Sequence, residues 1–236
     1  MKRLLKQIAG MCSPEIVERF LAHSLLSIYL KQGLDGAKKI RSRERLWDHV
    51  IDNVGQKKPL VYLEFGVWKG YSIKFFADKL TNPLSIFIGS DSFEGLPEDW
   101  GARPKGSFDT GGEVPITNDS RISFAKGWFQ NTFDDVIASV RPHHKSVLVH
   151  FDADVYSSTL FLLTKLDDVA NEYWAIFDEF LGHESRALWN YVQAYGASVE
   201  FLAATYERGY PMQVFCKIRT GKGKNCAPSD KKLFIT

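Results

Sequence analysis

The 236-residue sequence predicts a doubly wound α/β domain: a seven-stranded, mostly parallel sheet with one antiparallel strand, preceded by a helical extension. Three observations predict it. From Pro59 onward, short apolar runs alternate with stretches of helical periodicity, which implies a parallel sheet covered on both faces. The last two runs, Val199–Ala203 and Met212–Ile218, are joined only by Ala204–Pro211, too short for a crossover helix, so one strand there runs antiparallel. Two central runs end in acidic pairs, Asp152 with Asp154 and Asp178 with Glu179, which puts carboxylates together at one edge of the sheet if the strands are neighbours.

The elements follow in order. Ser13-Pro14-Glu15 opens a helix, with a capping hydroxyl, a proline suited to the first turn and an acid at the positive end. Val17, Phe20, Leu21, Leu25 and Ile28 then form its apolar stripe. A second helix is expected after Asp35, with Ile40, Trp47, Val50, Ile51 and Val54 on one face and Gly55 as its stop. Its charges Lys38, Lys39, Arg41, Arg43 and Arg45 are read as a solvated face. Residues 1–57 therefore form a helical lid, substrate wall or dimer contact ahead of the main domain, 58–220. Within that domain the strands are Leu60–Glu64, Leu84–Gly89, Arg121–Phe124, Val147–Phe151 and Tyr173–Phe177, then the closing pair. The helices are Ser72–Leu80, Trp128–Val140, Ser158–Ala170 and Glu184–Tyr195. The Gly/Lys-rich tail, 221–236, is expected to be mobile, although Leu233-Phe234-Ile235 offers a docking element.

Composition removes several function classes. The apolar and charged fractions are those of an ordinary globular protein, and a net charge of +2 advertises neither nucleic acid nor an anionic membrane. Cys12, Cys216 and Cys226 have no metal-type spacing and read as reduced thiols. Lys6 and Gln7 interrupt the N-terminal apolar run too early for a signal peptide, and no apolar stretch is long enough to span a membrane. The expected location is the cytoplasm, so the sequon Asn118-Asp119-Ser120 carries no meaning.

The chemistry sits in a few places. In Val147–Thr159, V-L-V-H-F-D-A-D-V-Y-S-S-T, an apolar run delivers Asp152 and Asp154; Tyr173–Phe177 delivers Asp178 and Glu179. Unit charges about 4 Å apart repel by roughly 4 kcal/mol at an effective dielectric of 20, so such a quartet calls for a cation, a proton or water. The first strand runs into E-F-G-V-W-K-G, with Glu64 at the strand end, Gly66 and Gly70 around a tight turn, and Trp68 between them. The middle glycine of the dinucleotide fingerprint is missing, which argues against a pyrophosphate on this helix and against an NAD enzyme. Asp91 ends the next strand, where an acid commonly receives ribose hydroxyls, with Ser92 beside it. Together these describe a nucleoside pocket without a phosphate grip, which fits S-adenosylmethionine (SAM) better than NAD or ATP. Ser92–Ser120 is irregular, rich in glycine and proline, and reads as a lid. His150, inside an apolar strand, reads as a satisfied packing residue, and His143-His144 lies at the wrong edge of the sheet. Tyr156, Ser157 and Ser158 are placed either to contact substrate or to begin a helix, and the helix start is the preferred reading. His183 is the one histidine placed to reach a substrate.

The motifs E-F-G-V-W-K-G, D-S-F-E-G-L-P, K-G-W-F, F-D-A-D-V-Y-S-S-T and I-F-D-E-F, in this order across about Leu60 to Tyr195, resemble the macrocin O-methyltransferase family. That family methylates sugar hydroxyls of macrolide and aminocoumarin antibiotics. The resemblance implies a class I methyltransferase fold, SAM as donor and magnesium-assisted O-methylation. By position it makes Asp152 and Asp178 metal ligands and Asp154 the general base, with His183 in reserve. Glu179 stands where those enzymes have a second Asp, which keeps the charge and lengthens the side chain. Lys126-Gly127-Trp128 falls where this fold holds adenine. The resulting expectation is a SAM- and Mg²⁺-dependent O-methyltransferase of a small molecule, a sugar first of all, working as a homodimer. Two alternatives accompany it: a catechol or caffeoyl-CoA type enzyme, against which Val155 and Glu179 count, and a non-catalytic SAM- or nucleoside-binding protein, against which the acidic quartet counts.

Overall fold

The computed structural model describes residues 14–140 and 146–221. Ser13, Cys12, His143, His144, Cys226 and the Leu233–Ile235 segment lie outside the described residues, and so do the side chains of Pro14 and Glu15.

The chain runs α1 (Pro14–Tyr29), a π-helical turn (Leu30–Leu34), β1 (Lys38–Ile40), α2 (Arg43–Val54), β2 (Leu60–Phe65), α3 (Tyr71–Lys79) and β3 (Ile86–Asp91). It continues through β4 (Ile122–Lys126), α4 (Phe129–Val140), β5 (Ser146–Phe151), α5 (Tyr156–Leu166), β6 (Glu172–Phe177), a second π-helical turn (Phe180–Glu184), α6 (Ser185–Tyr195), β7 (Ser198–Glu207) and β8 (Tyr210–Arg219). One eight-stranded sheet results, in the order β1-β7-β8-β6-β5-β2-β3-β4, and β8 alone is antiparallel to its neighbours.

The strands that supply the sheet centre are apolar on both faces, as parallel strands must be when helices cover both sides. Val61, Leu63 and Phe65 of β2 point into one core with Phe133, Leu162, Phe177 and Tyr191, under α1, α4, α5 and α6. Leu60 and Tyr62 point the other way, into a second core with Trp47, Val50, Ile73, Phe76 and Phe215, under α2 and α3. Fully burying one such side chain contributes about 1.5–3 kcal/mol.

Four expectations are corrected. The sheet has eight strands because Lys38–Ile40, expected in a helix, pairs in parallel with Ala203–Thr205 of β7. Helix α2 starts only after Ser42, whose hydroxyl accepts the Arg45 N–H at 3.4 Å; Gly55 stops it as expected, at φ +89°. The β7–β8 connection is a two-residue turn, Arg208-Gly209, both at positive φ (+51° and +86°), a geometry that matches the twist of the flanking strands and lets them run ten residues each. Val17 and Phe20 are exposed, Phe20 at 74%, because α1 is buried at Leu25, Leu26 and Tyr29, with Leu21 and Ile28 partly buried against the same core. The Tyr29 ring meets Phe180 at 5.2 Å and Phe201 at 5.6 Å, and its hydroxyl donates to the Ser185 carbonyl at 2.8 Å. The described part of the segment ahead of Pro59 is thus built into the sheet and its cores. No helix among the described residues is long and apolar enough to cross a membrane.

Candidate active site

Strand order decides where a ligand can enter. β3 and β4 lie to one side of β2, β5 and β6 to the other, so the crossover helices leave β2 and β5 towards opposite faces and open a crevice at their carboxyl ends. The strand ends are locked together by backbone bonds: Gly66 N–H to Ser90 O (3.0 Å), Asp152 N–H to Phe65 O (2.9 Å) and Asp178 N–H to Phe151 O (3.0 Å). Gly66, at φ +96°, passes directly over Asp152; a Cβ there would stand 1.8 Å from the Asp152 carbonyl oxygen, so only glycine fits.

A cavity of about 280 Å³ lies in this crevice, at the lower end of small-molecule sites. Of the residues expected to bind a cofactor, Gly66, Trp68, Asp91, Ser92, Gly127, Trp128 and Asp152 line it, as do Asp154, Asp178 and Glu179. Residues from Ser92–Ser120 form another wall, so this loop is an ordered flap: Lys126 Nζ donates to the Gly112 carbonyl at 2.7 Å and Ser157 Oγ to Glu98 Oε1 at 2.8 Å. Ser157 and Ser158 begin α5 as expected and line the cavity as well.

Four expected site residues are elsewhere. Glu64 is fully buried behind the cavity, because its position in β2 shares the parity of Tyr62 and faces the α2/α3 core; it accepts the Tyr62 hydroxyl, and His150 Nδ1 is 3.6 Å away. Gly70, at φ +73° ahead of α3, faces Pro115 of the flap. Lys126 points to the flap backbone. His183 is turned away by the break at Gly182 (φ 112°, ψ −106°); its Nδ1 accepts the Tyr156 N–H at 3.1 Å, and it lines a small second cavity with Leu21, Ala22 and Arg186.

The carboxylates at the cavity are treated differently from one another. Asp91 is tied down: Oδ2 accepts the N–H groups of Val67 (2.7 Å) and Trp68 (2.8 Å), and Oδ1 that of Phe93 (2.8 Å), so it organises the Gly66–Gly70 turn. Asp178 Oδ1 accepts from Gln213 Nε2 and lies 3.4 Å from His150 Nε2. His150 is satisfied on both sides, as expected of a packed histidine, with its Nδ1 2.9 Å from the Tyr62 hydroxyl. Burial alone would lower its pKa, but the neighbouring carboxylates of Asp178 and Glu64 win and raise it to about 10. Burial and then the Asp178 charge push Asp152 well above the usual carboxylate range. Burial, Glu179 and Asp178 push Asp154 up to about 7. Burial and Asp178 push Glu179 up to about 6.

Asp154 also sits at φ +58°, as Trp68 (+48°) and Phe108 (+68°) do on the opposite walls. Non-glycine residues held there cost of order 1–3 kcal/mol each and gather at functional sites. Trp68, 46% exposed, meets the Phe108 ring edge-on at 5.8 Å and closes the cavity on the flap side.

Sequence reasoning missed four residues here. Arg43 lines the cavity, although it belongs to the charge run read as solvated. Arg103 and Phe108 also line it; their only sequence signal is membership of the irregular Ser92–Ser120 stretch. Glu184 is buried behind the site, accepting the Glu179 N–H at 3.0 Å, with burial and then Asp178 raising its pKa well above normal.

No metal ligand set stands assembled: no three His, Cys, Asp or Glu side chains among the described residues converge closely enough to hold an ion. The donors are nevertheless hard oxygens that repel one another, and Mg²⁺ commonly uses one or two carboxylates and keeps water on its remaining positions. In chemistry, Asp152, Asp178 and Glu179 fit such an ion.

A scan against protein-family models finds no match, and neither does a search of curated proteins. Solved structures do match. CalS11, a calicheamicin methyltransferase, is 19% identical over 88% of this chain and 93% of its own, with a TM-score of 0.53. Cofactor-bound Rv0187 from MTB is 14% identical over 84% of this chain and 88% of its own, at 0.50. An O-methyltransferase from Bacillus cereus, in complex with SAH, is 10% identical over 91% and 96%, at 0.48. With the sheet order, helix layers and single antiparallel strand described above, the architecture is the class I methyltransferase fold.

Proposed function

We propose that this protein is a SAM-dependent O-methyltransferase acting on a hydroxyl of a small molecule, with a sugar ring as the first acceptor class. The observation that carries it is the single cavity at the switch point, where the Gly66–Gly70 turn organised by Asp91 faces Asp152, Asp154, Asp178 and Glu179. One wall suits a nucleoside and the other suits deprotonation of a hydroxyl. The likeness to CalS11 supports the fold on which this reading stands.

The sulfonium of SAM already carries a good leaving group, so the protein's tasks are orientation and removal of one proton. Holding donor and acceptor in line can supply up to about 7–11 kcal/mol of the barrier. Asp154 is the base. Its pKa of about 7 leaves it part ionised near neutrality and matched to accepting a proton. Asp152 and Asp178, with Glu179, would hold Mg²⁺, which when bound makes a neighbouring hydroxyl easier to deprotonate. Trp68 and the flap exclude water from the reacting pair.

Calorimetric titration of the purified protein with SAM, followed by methyl-transfer assays on sugar and catechol acceptors with Mg²⁺ or EDTA, tests the reading. SAM binding that survives EDTA, with turnover lost in EDTA, is expected. Absence of SAM binding would remove the proposal, and full turnover in EDTA would remove the metal from it.

A further inference from the structure

Two guanidinium groups enter the cavity from separate elements, Arg43 from the start of α2 and Arg103 from the flap. Each lies against aromatic surface. The Arg43 guanidinium carbon is 5.1 Å from the Trp47 ring centre and 5.6 Å from Tyr71, and that of Arg103 is 4.6 Å from Phe108 and 5.7 Å from Trp100. Stacking occupies the flat face of a guanidinium and leaves its in-plane N–H donors available.

Those donors are unspent. Among the described residues neither side chain donates a hydrogen bond, and the only ion pair is Arg43 with its neighbour Glu44 at 3.9 Å, beyond hydrogen-bond length. Arg121 shows what a committed arginine looks like in this fold: it donates to Asp119 and to the carbonyls of Ala77, Leu80 and Asn82. Arg43 and Arg103 are also close enough to Glu179 to lower its pKa, and Arg103 acts likewise on Asp154, yet neither pairs with those acids within 4.0 Å. They are not the quartet's ion-pair partners. The cavity carries both signs of charge, with carboxylates supplied by the strand ends and two open guanidinium forks supplied by α2 and the flap.

We infer that Arg43 and Arg103 form an oxyanion subsite, so that the acceptor is a hydroxyl compound that also carries a phosphate or carboxylate group. The inference rests on reading this cavity as the acceptor pocket. Planar guanidinium forks match both oxyanions through paired, charge-assisted N–H···O contacts, whereas a neutral sugar offers only single hydroxyl acceptors without a compensating charge. The two arginines then hold the acceptor's anion while its reacting hydroxyl meets Asp154.

The test is equilibrium binding, read by tryptophan fluorescence because Trp100 lies beside Arg103. The probes are a glucose phosphate, glucuronate and methyl glucoside, added to the wild type and to the Arg103→Gln and Arg43→Gln/Arg103→Gln variants, with SAH affinity measured in parallel. At least one anionic probe is expected to bind about tenfold or more tightly than the neutral glucoside, as hydrogen bonds to charged groups allow. That preference should shrink in the single variant and vanish in the double, with SAH affinity undiminished. Preference for the glucose phosphate identifies a phosphate acceptor and preference for glucuronate a carboxylate one. Equal binding of all three probes, or a preference that persists in the double variant, overturns the subsite. Loss of SAH affinity with unchanged probe binding also overturns it, since the pair would then hold the cofactor's own carboxylate. Failure of the wild type to bind SAM or SAH would sink the methyltransferase reading but leave an observed anion preference standing.

Discussion

The two ends of the sheet treat the same residue types in opposite ways. At the amino end, Asp119 precedes β4 and Glu172 opens β6, and each meets cations. Arg121 bonds Asp119, while Lys217 and Arg219 reach Glu172 at 2.7 and 3.4 Å; these contacts hold both acids below their ordinary range. At the carboxyl end, Asp152, Asp154 and Glu179 face burial and one another, and all three are pushed up. A fold able to pair its acids at one end leaves Asp152, Asp154 and Glu179, among the described residues, without a cation within 4.0 Å at the other, while Asp178 there has His150 at 3.4 Å. The difference teaches that position in the fold, not residue type, decides whether an acid is held charged, and on the proposed reading the carboxyl-end acids are the ones that meet a ligand.

Changing the inner acid should have the largest effect. Asp154→Asn is expected to lower turnover about 10²–10⁴-fold, as loss of a general base does, while SAM affinity is retained. Initial rates across pH should also lose the limb near neutrality that the wild type owes to this carboxyl. Normal turnover by the variant would take the base role away from Asp154.

A smaller effect comes from titrating the carboxyl end as a whole. Folded Asp154 and Glu179 retain protons that an unfolded chain releases near pH 4, so their contribution to stability is full below about pH 4. It is lost as pH rises through about 6 and then about 7. Melting temperatures should therefore gain more from Mg²⁺ at about pH 8 than at about pH 5, and Asp154→Asn should flatten the dependence. A metal effect independent of pH would mean that the cation binds elsewhere.

The amino end supplies the smallest change and the opposite sign. Glu172 is lowered in the folded state, so what its pairs contribute is present at neutral pH and lost as pH falls. Being exposed, Glu172→Gln should cost only about 0.2–1 kcal/mol in urea denaturation at neutral pH. A larger loss would show that the two ends are less different than their ion pairing indicates.

Much of this was legible in the chain. The short apolar runs and the helical stripes between them depend on local patterning, so five parallel strands and the acids at their ends could be placed from residues alone. The ten-residue hairpin strands were underestimated because Arg208-Gly209 is a turn signal only once the strand pairing is known. Parity within β2 could have moved Glu64 out of the cavity, since it shares a face with Tyr62, but strand-end position drew attention to it first.

The sequence by itself determined the α/β order, the single antiparallel strand and the acidic quartet, because these follow from periodicity and from which residues end each run. Only the tertiary structure decided the rest. Lys38–Ile40 became a strand because the β7 edge was there to pair with it. His183 was turned away by a break at Gly182, and Arg43 and Arg103, 60 positions apart, were brought to one cavity. Those outcomes depend on contacts between distant segments, which no local pattern encodes. What the carboxylates face was settled by the fold; that they would be there was written in the chain.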